Sequence, residues 1–230
     1  MSIKIYKEHH AFNPPLLNQY QTKIWVEDVD TLGVASFYND SCCLNFAYHK
    51  RPDGGYKAVQ HVPMPIKTQE EDLFRRSNLP EFMDNKHIKK HYPLQGLKSI
   101  YCKNIIVDKN QTLIPHEPFF TSIITAPAVI NPTHDDQILV ENKIKRILDI
   151  AADNHHETLI LGAWGCGVFN NDPENIANLF CNFIKNDFQG VFRNVIFAIP
   201  NKESKNYQLF ENVIQRWSNL ILFIINGTPL

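Results

Sequence analysis

The stretch Thr158-Leu159-Ile160-Leu161-Gly162-Ala163-Trp164-Gly165-Cys166-Gly167-Val168-Phe169-Asn170-Asn171-Asp172-Pro173 decides the fold. Its first four residues form a short apolar run of buried-strand length. Its last two read as a helix start, an N-cap carboxylate followed by proline at the first helical position. That helix is expected to run to Ile184, with Ile176, Leu179, Phe180 and Phe183 facing inward. Strand, glycine-bearing loop and helix in this order make up an open α/β sheet, which binds ligands beyond the carboxyl ends of its strands. The loop glycines let a backbone approach a bulky anion, and successive N–H groups in such a loop can cradle phosphate. No Gly-Lys-Ser/Thr follows, so this is not a Walker A loop, and the dinucleotide fingerprint does not fit. A tight turn needing glycine for positive φ explains the same residues equally well.

The alternation continues on both sides. Glu141–Asn154 is a helix with Ile144, Ile147, Leu148 and Ala151 on one stripe. Lys23–Val26, Cys42–Ala47, Ser99–Val107, Phe119–Thr125 and Asn194–Ile199 read as strands, with a short helical or turn segment in Asp30–Tyr38. Ser204–Trp217 is a last helix, and Leu220–Ile225 reads as a last strand or buried tail. Asn78–Leu97, polar with scattered prolines, is an excursion rather than a domain boundary. The expectation is an α/β fold, helices sandwiching a mixed, largely parallel sheet, in one domain over residues 1–230.

Composition narrows the function classes. The 23 basic and 24 acidic residues give a net charge of −1, which excludes a nucleic-acid binder held by a bulk positive field. The five cysteines are odd in number and form no C-x-x-C, so a reducing compartment is expected rather than a disulfide framework. The first residues carry no apolar signal core, and the longest apolar run, Leu220–Ile225, is far too short to span a bilayer. A soluble protein follows, cytoplasmic or exported to a host cell without an N-terminal signal, and a monomer is expected.

Two further segments carry candidate chemistry. Arg51-Pro52-Asp53-Gly54-Gly55-Tyr56 follows a strand end and suits either a close ligand approach or an ordinary turn. Thr68-Gln69-Glu70-Glu71-Asp72 opens a helix, and Thr68 with Glu71 matches a capping box. In the functional reading, Glu70 or Glu71 faces a cleft and handles protons at a glycosidic bond. His87 and His91 have zinc-like spacing but sit among lysines, and the pairs His9–His10 and His155–His156 read as surface residues. Cys166 has no recognisable histidine partner and reads as a loop-filling residue.

In combination these segments resemble the bacterial-type poly(ADP-ribose) glycohydrolases, a branch of the macro domain family. The resemblance rests on Leu44-Asn45-Phe46-Ala47, Pro52-Asp53-Gly54-Gly55, Gln69 to Ser77, Ile123 to Ala128, Ile147 to Ala151, Leu161 to Phe169, Asn171-Asp172-Pro173 and Val195 to Ile199. It covers roughly Thr22 to Phe210 in the family's order and leaves residues 1–21 as an N-terminal extension. It implies a three-layer αβα sandwich binding ADP-ribose at the strand ends, with no metal or redox cofactor. Asp53-Gly54-Gly55 would be the first diphosphate loop, and Gly165, Cys166, Gly167, Val168 and Phe169 the second, Phe169 packing on the distal ribose. Glu71 would be the catalytic acid, Glu70 would bond a ribose hydroxyl, Asn45 would lie beside the distal ribose, and Gln69 completes the binding set.

The resemblance implies an ADP-ribosyl glycohydrolase acting on ADP-ribosylated protein or on the polymer. A non-catalytic ADP-ribose reader is the alternative. Two departures bear on substrate choice. The family usually has three glycines where this chain has Asp53-Gly54-Gly55, and the spacer Tyr56–Thr68 is longer. A carboxylate beside a diphosphate repels it unless Asp53 turns away or meets a cation. It could instead attract a guanidinium, which makes ADP-ribosyl-arginine a candidate substrate.

Overall fold

The computed structural model describes residues 2–63, 66 and 68–225, with side chains as far as Trp217. Seven strands form one mixed sheet: β1 (Ser2–Tyr6), β2 (Lys23–Glu27), β3 (Ser41–Asn45), β4 (Ser99–Lys109), β5 (Pro115–Thr125), β6 (Thr158–Leu161) and β7 (Asn194–Ala198). Their order is β1-β4-β5-β3-β6-β7-β2. The pairs β5–β3, β3–β6, β6–β7 and β7–β2 are parallel, whereas β1–β4 and β4–β5 are antiparallel. The parallel strands end together, so β3, β5, β6 and β7 all deliver their carboxyl ends to one rim. The site is built there.

Helices cover both faces. On one lie α1 (Thr31–Ala35), α2 (Gln69–Arg76), α3 (Leu79–Met83) and α4 (Lys86–Lys89); on the other lie α5 (Gln137–Asp153), α6 (Pro173–Lys185) and α7 (Lys205–Ile225). The period-2 pleat explains the division. Leu159, Leu161, Val195 and Phe197 enter the core under α5, α6 and α7, while Ile160 and Ile196 enter the core under α1 to α4. Both faces are apolar because both are buried, as a largely parallel sheet requires. The chain thus forms the expected three-layer αβα sandwich with a mixed sheet.

Three local expectations need correction. Leu220–Ile225 is not a strand but the last part of α7. An apolar run of six does not distinguish helix from strand by itself. No glycine or proline intervenes after Ser204, so the helix begun there carries through. The second correction is His156, read as a surface residue, which is 2% exposed. The third is the capping box at Thr68, whose side chain makes no cap hydrogen bond. The N-terminal extension, moreover, supplies β1, which adds an edge strand to the sheet through β4.

The candidate active site

A cavity of about 980 Å³ opens at the rim where the parallel strands end. Its wall includes Gly54 from the first loop, Gln69, Glu70 and Glu71 from α2, and Gly165, Gly167, Val168 and Phe169 from the second loop. Three segments far apart in sequence thus converge, because β3 and β6 are hydrogen-bonded neighbours and α2 packs across the end of β3. Asn45, Asp53, Gly55 and Cys166 are not in the wall.

The first turn of α2 presents two carboxyls that meet different surroundings. Glu70 falls on the same helix stripe as Leu73 and Phe74 and is buried with them. Its Oε2 accepts from the Tyr48 amide at 2.9 Å and its Oε1 from Asn45 Nδ2 at 3.2 Å. Burial dominates these two donors and pushes the carboxyl up to about 8. Glu71 lies one residue on, about 100° around the helix, and is only half-buried in the cavity wall. Asp72, also in the wall, pairs with Arg75 and Arg76, at 3.2 and 2.7 Å.

Gln69 binds the protein itself. Its Oε1 accepts from the Phe46 amide at 2.8 Å, and its Nε2 donates to Leu44 O at 2.6 Å and Thr31 Oγ1 at 3.1 Å. Its amide therefore pins α2 to the end of β3 and sets the height of the two carboxyls. Asn45 lies fully buried behind the wall, its Nδ2 also 3.3 Å from Thr125 Oγ1. Its Oδ1 is buried without a hydrogen-bond partner, an acceptor that a ligand hydroxyl could satisfy.

In the first loop, Gly54 has φ +55, and a Cβ there would stand 2.7 Å from Glu71 Oε1 and 2.9 Å from Glu70 Oε2. Positive φ favours glycine here, and an added Cβ would force the carboxyl ends to shift. Asp53, at φ +93, directs its carboxylate to Arg51, with Nε to Oδ1 at 3.6 Å. It turns away and meets a cation, so the guanidinium of a substrate has no open carboxylate here to seek.

The second loop divides its glycines between two tasks. Gly165, at φ +76, packs where a Cβ would come within 2.7 Å of Ala128 Cβ and of Asn171 Nδ2. Gly167 has nothing within 4 Å of an added Cβ and lies in the cavity wall. Packing does not demand glycine at 167, whereas close approach of a ligand would. Asn171, buried, holds the loop by donating from Nδ2 to Val129 O at 2.7 Å and to Gly165 O and Phe169 O at 3.2 Å. Asp172 caps α6 through the Glu174 amide, as the sequence suggests. Burial pushes the Cys166 thiol up to about 12, so it stays protonated and fills the loop. Val168 is 88% exposed at the cavity lip.

One part of the cavity wall went unread in the sequence. Asp30 lines it, caps α1 through the Leu32 and Gly33 amides, and meets Arg76 Nη1 at 2.7 Å and the Gln111 side-chain amide. Burial works against its ionisation, but Arg76, the Gly33 amide and the Gln111 side chain together outweigh it and hold the carboxyl below its ordinary value. Arg51 in the wall was likewise missed as a site residue. Its position directly before Pro-Asp-Gly-Gly was the available signal.

Residues 2–110 match the family model of the microbial-type poly(ADP-ribose) glycohydrolase (PARG) catalytic domain. No curated protein sequence matches the chain. The structure of PARG from Deinococcus radiodurans in complex with ADP-ribose is 27% identical, with 87% of each chain covered and a TM-score of 0.75. The structure of PARG from Thermomonospora curvata bound to the inhibitor ADP-HPD is also 27% identical, covering 84% of this chain and 79% of that one, at a TM-score of 0.69. The apo form of the Deinococcus protein is 26% identical over 87% and 85% of the chains, at 0.71. In residues 2–110 and in overall fold, this chain is similar to the microbial-type PARG catalytic domain.

Proposed function

We propose that this chain is an ADP-ribosyl glycohydrolase that releases ADP-ribose from poly(ADP-ribose) or from an ADP-ribosylated protein. The observation that carries the reading is the pair Glu70–Glu71 in the wall of a cavity lined by two glycine-bearing loops. Such loops offer amides to a diphosphate, and the neighbouring carboxyls suit proton transfer at an adjoining ribose. The likeness to glycohydrolases solved with ADP-ribose or ADP-HPD supports the same ligand.

In this reading Glu71 is the acid and base. Its carboxyl gives a proton to the glycosidic oxygen as the C–O bond breaks, and the ribose develops oxocarbenium character. Water then adds to the anomeric carbon and returns a proton to Glu71, so ADP-ribose leaves with a hydroxyl and the carboxyl is restored. Glu70, Asn45 and Phe169 hold the distal ribose, and the amides of Gly54, Gly55 and Gly165 to Phe169 hold the diphosphate. One sheet shared by the described residues supports a single domain. Five free cysteines, four of them buried, support a reducing compartment, the cytoplasm or that of a host cell.

The test is a substrate panel: poly(ADP-ribose), and proteins mono-ADP-ribosylated on arginine, serine or glutamate, with released ADP-ribose as the readout. Glu71→Gln should lower turnover by roughly 10²–10⁴ while ADP-ribose still binds. Wild-type release that persists undiminished in Glu71→Gln removes the role given to Glu71. Binding of ADP-ribose with no release from any substrate makes the protein a reader.

A further inference from the structure

We infer that Arg51 makes an aspartate-bearing first loop compatible with an anionic ligand, by fixing the Gly54 carbonyl and neutralising Asp53. The inference rests on the reading of the cavity as an ADP-ribose site. Asp53 introduces a full negative charge into the loop proposed to hold a diphosphate, and its effect must be cancelled locally if binding is to survive.

The geometry provides that cancellation. Arg51 Nε donates to Gly54 O at 2.7 Å, and Nη2 of the same guanidinium bonds the same oxygen. Arg51 Nε also stands 3.6 Å from Asp53 Oδ1. The guanidinium carbon is 5.9 Å from the centre of the Tyr48 ring, within reach of a cation–π contact. The two other nearby cations, Lys57 and Lys89, pair with Asp84. Among the described residues, Arg51 is therefore the cation within 4 Å of the Asp53 carboxylate.

The carbonyl contact has its own consequence. In a planar trans peptide the C=O of Gly54 and the N–H of Gly55 point in opposite directions. Drawing the carbonyl to Arg51 fixes that peptide plane and with it the aim of the Gly55 amide. It also keeps the negative end of the peptide dipole on the guanidinium rather than toward a ligand. Arg51 itself lines the cavity while Asp53 does not, so the side of the pair presented to the ligand is the cationic one. The Arg51 side chain is 62% exposed, so the pair adds little to global stability. Its effect falls on binding. Arg51 is thus a positioning residue for the first loop, acting through Gly54 and Asp53.

The test combines ADP-ribose titration by calorimetry with hydrogen exchange at the amides of residues 54–56, on wild type, Arg51→Ala, Arg51→Lys and the double variant Arg51→Ala/Asp53→Asn. Arg51→Ala should weaken ADP-ribose binding by about tenfold and speed exchange at these amides in the free protein. Arg51→Lys restores the charge but not the two-pronged contact, so its affinity should fall between the two while its exchange remains fast. The double variant removes the uncompensated carboxylate and should regain most of the lost affinity. Binding in Arg51→Ala equal to wild type, or a double variant as weak as Arg51→Ala alone, overturns the inference. Should wild type itself fail to bind ADP-ribose, the functional reading falls. The exchange measurement then stands alone, and unchanged amides in Arg51→Ala overturn the loop-fixing role as well.

Discussion

Glu70 accepts hydrogen bonds at both oxygens, yet burial raises its carboxyl to about 8. An unfolded glutamate titrates near 4.5, so between about 4.5 and 8 the folded state holds a proton that the unfolded chain releases. The group's contribution to stability is fully present below the lower value and is lost as pH rises through the upper one. Glu70→Gln removes the ionisation and leaves the shape. The new amide brings a donor, which Asn45 can meet by turning its partnerless Oδ1 toward it. Urea denaturation should therefore show Glu70→Gln flatter than wild type from pH 5 to 8.5, and more stable at pH 8.5 by on the order of 2 kcal/mol. Parallel curves across that range would mean that Glu70 titrates normally. The chemistry of this residue was legible in the sequence as one of two candidate carboxyls. Its place on the Leu73–Phe74 stripe decides that Glu70 rather than Glu71 is the buried one, a choice the sequence reading left open between the two. The direction of the Asp53 side chain was not. It depends on a positive φ and on an arginine contact that neither spacing nor composition encodes.

The second loop shows what an element can and cannot announce. Strand β6, the glycines and the Asp172–Pro173 helix start all follow from local rules, because a buried strand, a cap and a fixed proline φ are local physics. Asn171 follows from none of them. It binds three carbonyls, and one of these, Val129 O, lies more than forty positions away on the segment after β5. Asn171→Ala takes the side-chain donor from Val129 O, while Gly165 O and Phe169 O keep the backbone amides of Asn171 and Asn131, and it opens space beside Gly165, at a cost of about 1–3 kcal/mol. The loop itself should loosen more than the fold. ADP-ribose affinity is expected to drop about tenfold, with hydrogen exchange faster at residues 165–169 than elsewhere. A loss of stability with unchanged affinity would make Asn171 a core residue with no part in holding the loop. Nonlocal context also explains the misreading of Leu220–Ile225, where the helix already begun at Lys205 decides the state of an ambiguous run.

At the scale of the whole molecule, the layers were readable from the alternation of strands and helices, whereas the polar groups trapped between them were not. His156 is the clearest case. It follows α5, reads as one of an exposed pair, and is instead enclosed where β6 begins beside β3. Its Nε2 stands 2.7 Å from the Tyr101 hydroxyl on β4, and its Nδ1 stands 3.2 Å from Asp40 O. A carbonyl can only accept, so the neutral ring carries its proton on Nδ1 and donates to Asp40, which leaves Nε2 as an acceptor facing the Tyr101 hydroxyl, itself 3.2 Å from Ser122 Oγ. Burial outweighs the Asp40 contacts and holds the imidazole below its ordinary value, so the fold favours the neutral ring. The sign follows from that. The unfolded histidine takes up its proton below about 6.5 and the folded one only at lower pH. This contribution is therefore complete above about 6.5 and is lost as pH falls below it. Glu70 works in the opposite sense over part of the same range, so the wild-type profile alone does not separate the two. A difference does. His156→Gln should be less stable than wild type by about 2 kcal/mol at pH 7.5, from lost packing and the bond to Tyr101. That gap should narrow toward pH 5, as protonation removes the advantage of the native ring. A gap that stays constant from pH 7.5 to 5 would show that the ring is protonated as readily in the fold as outside it, and that the junction of β4, β3 and β6 tolerates a cation.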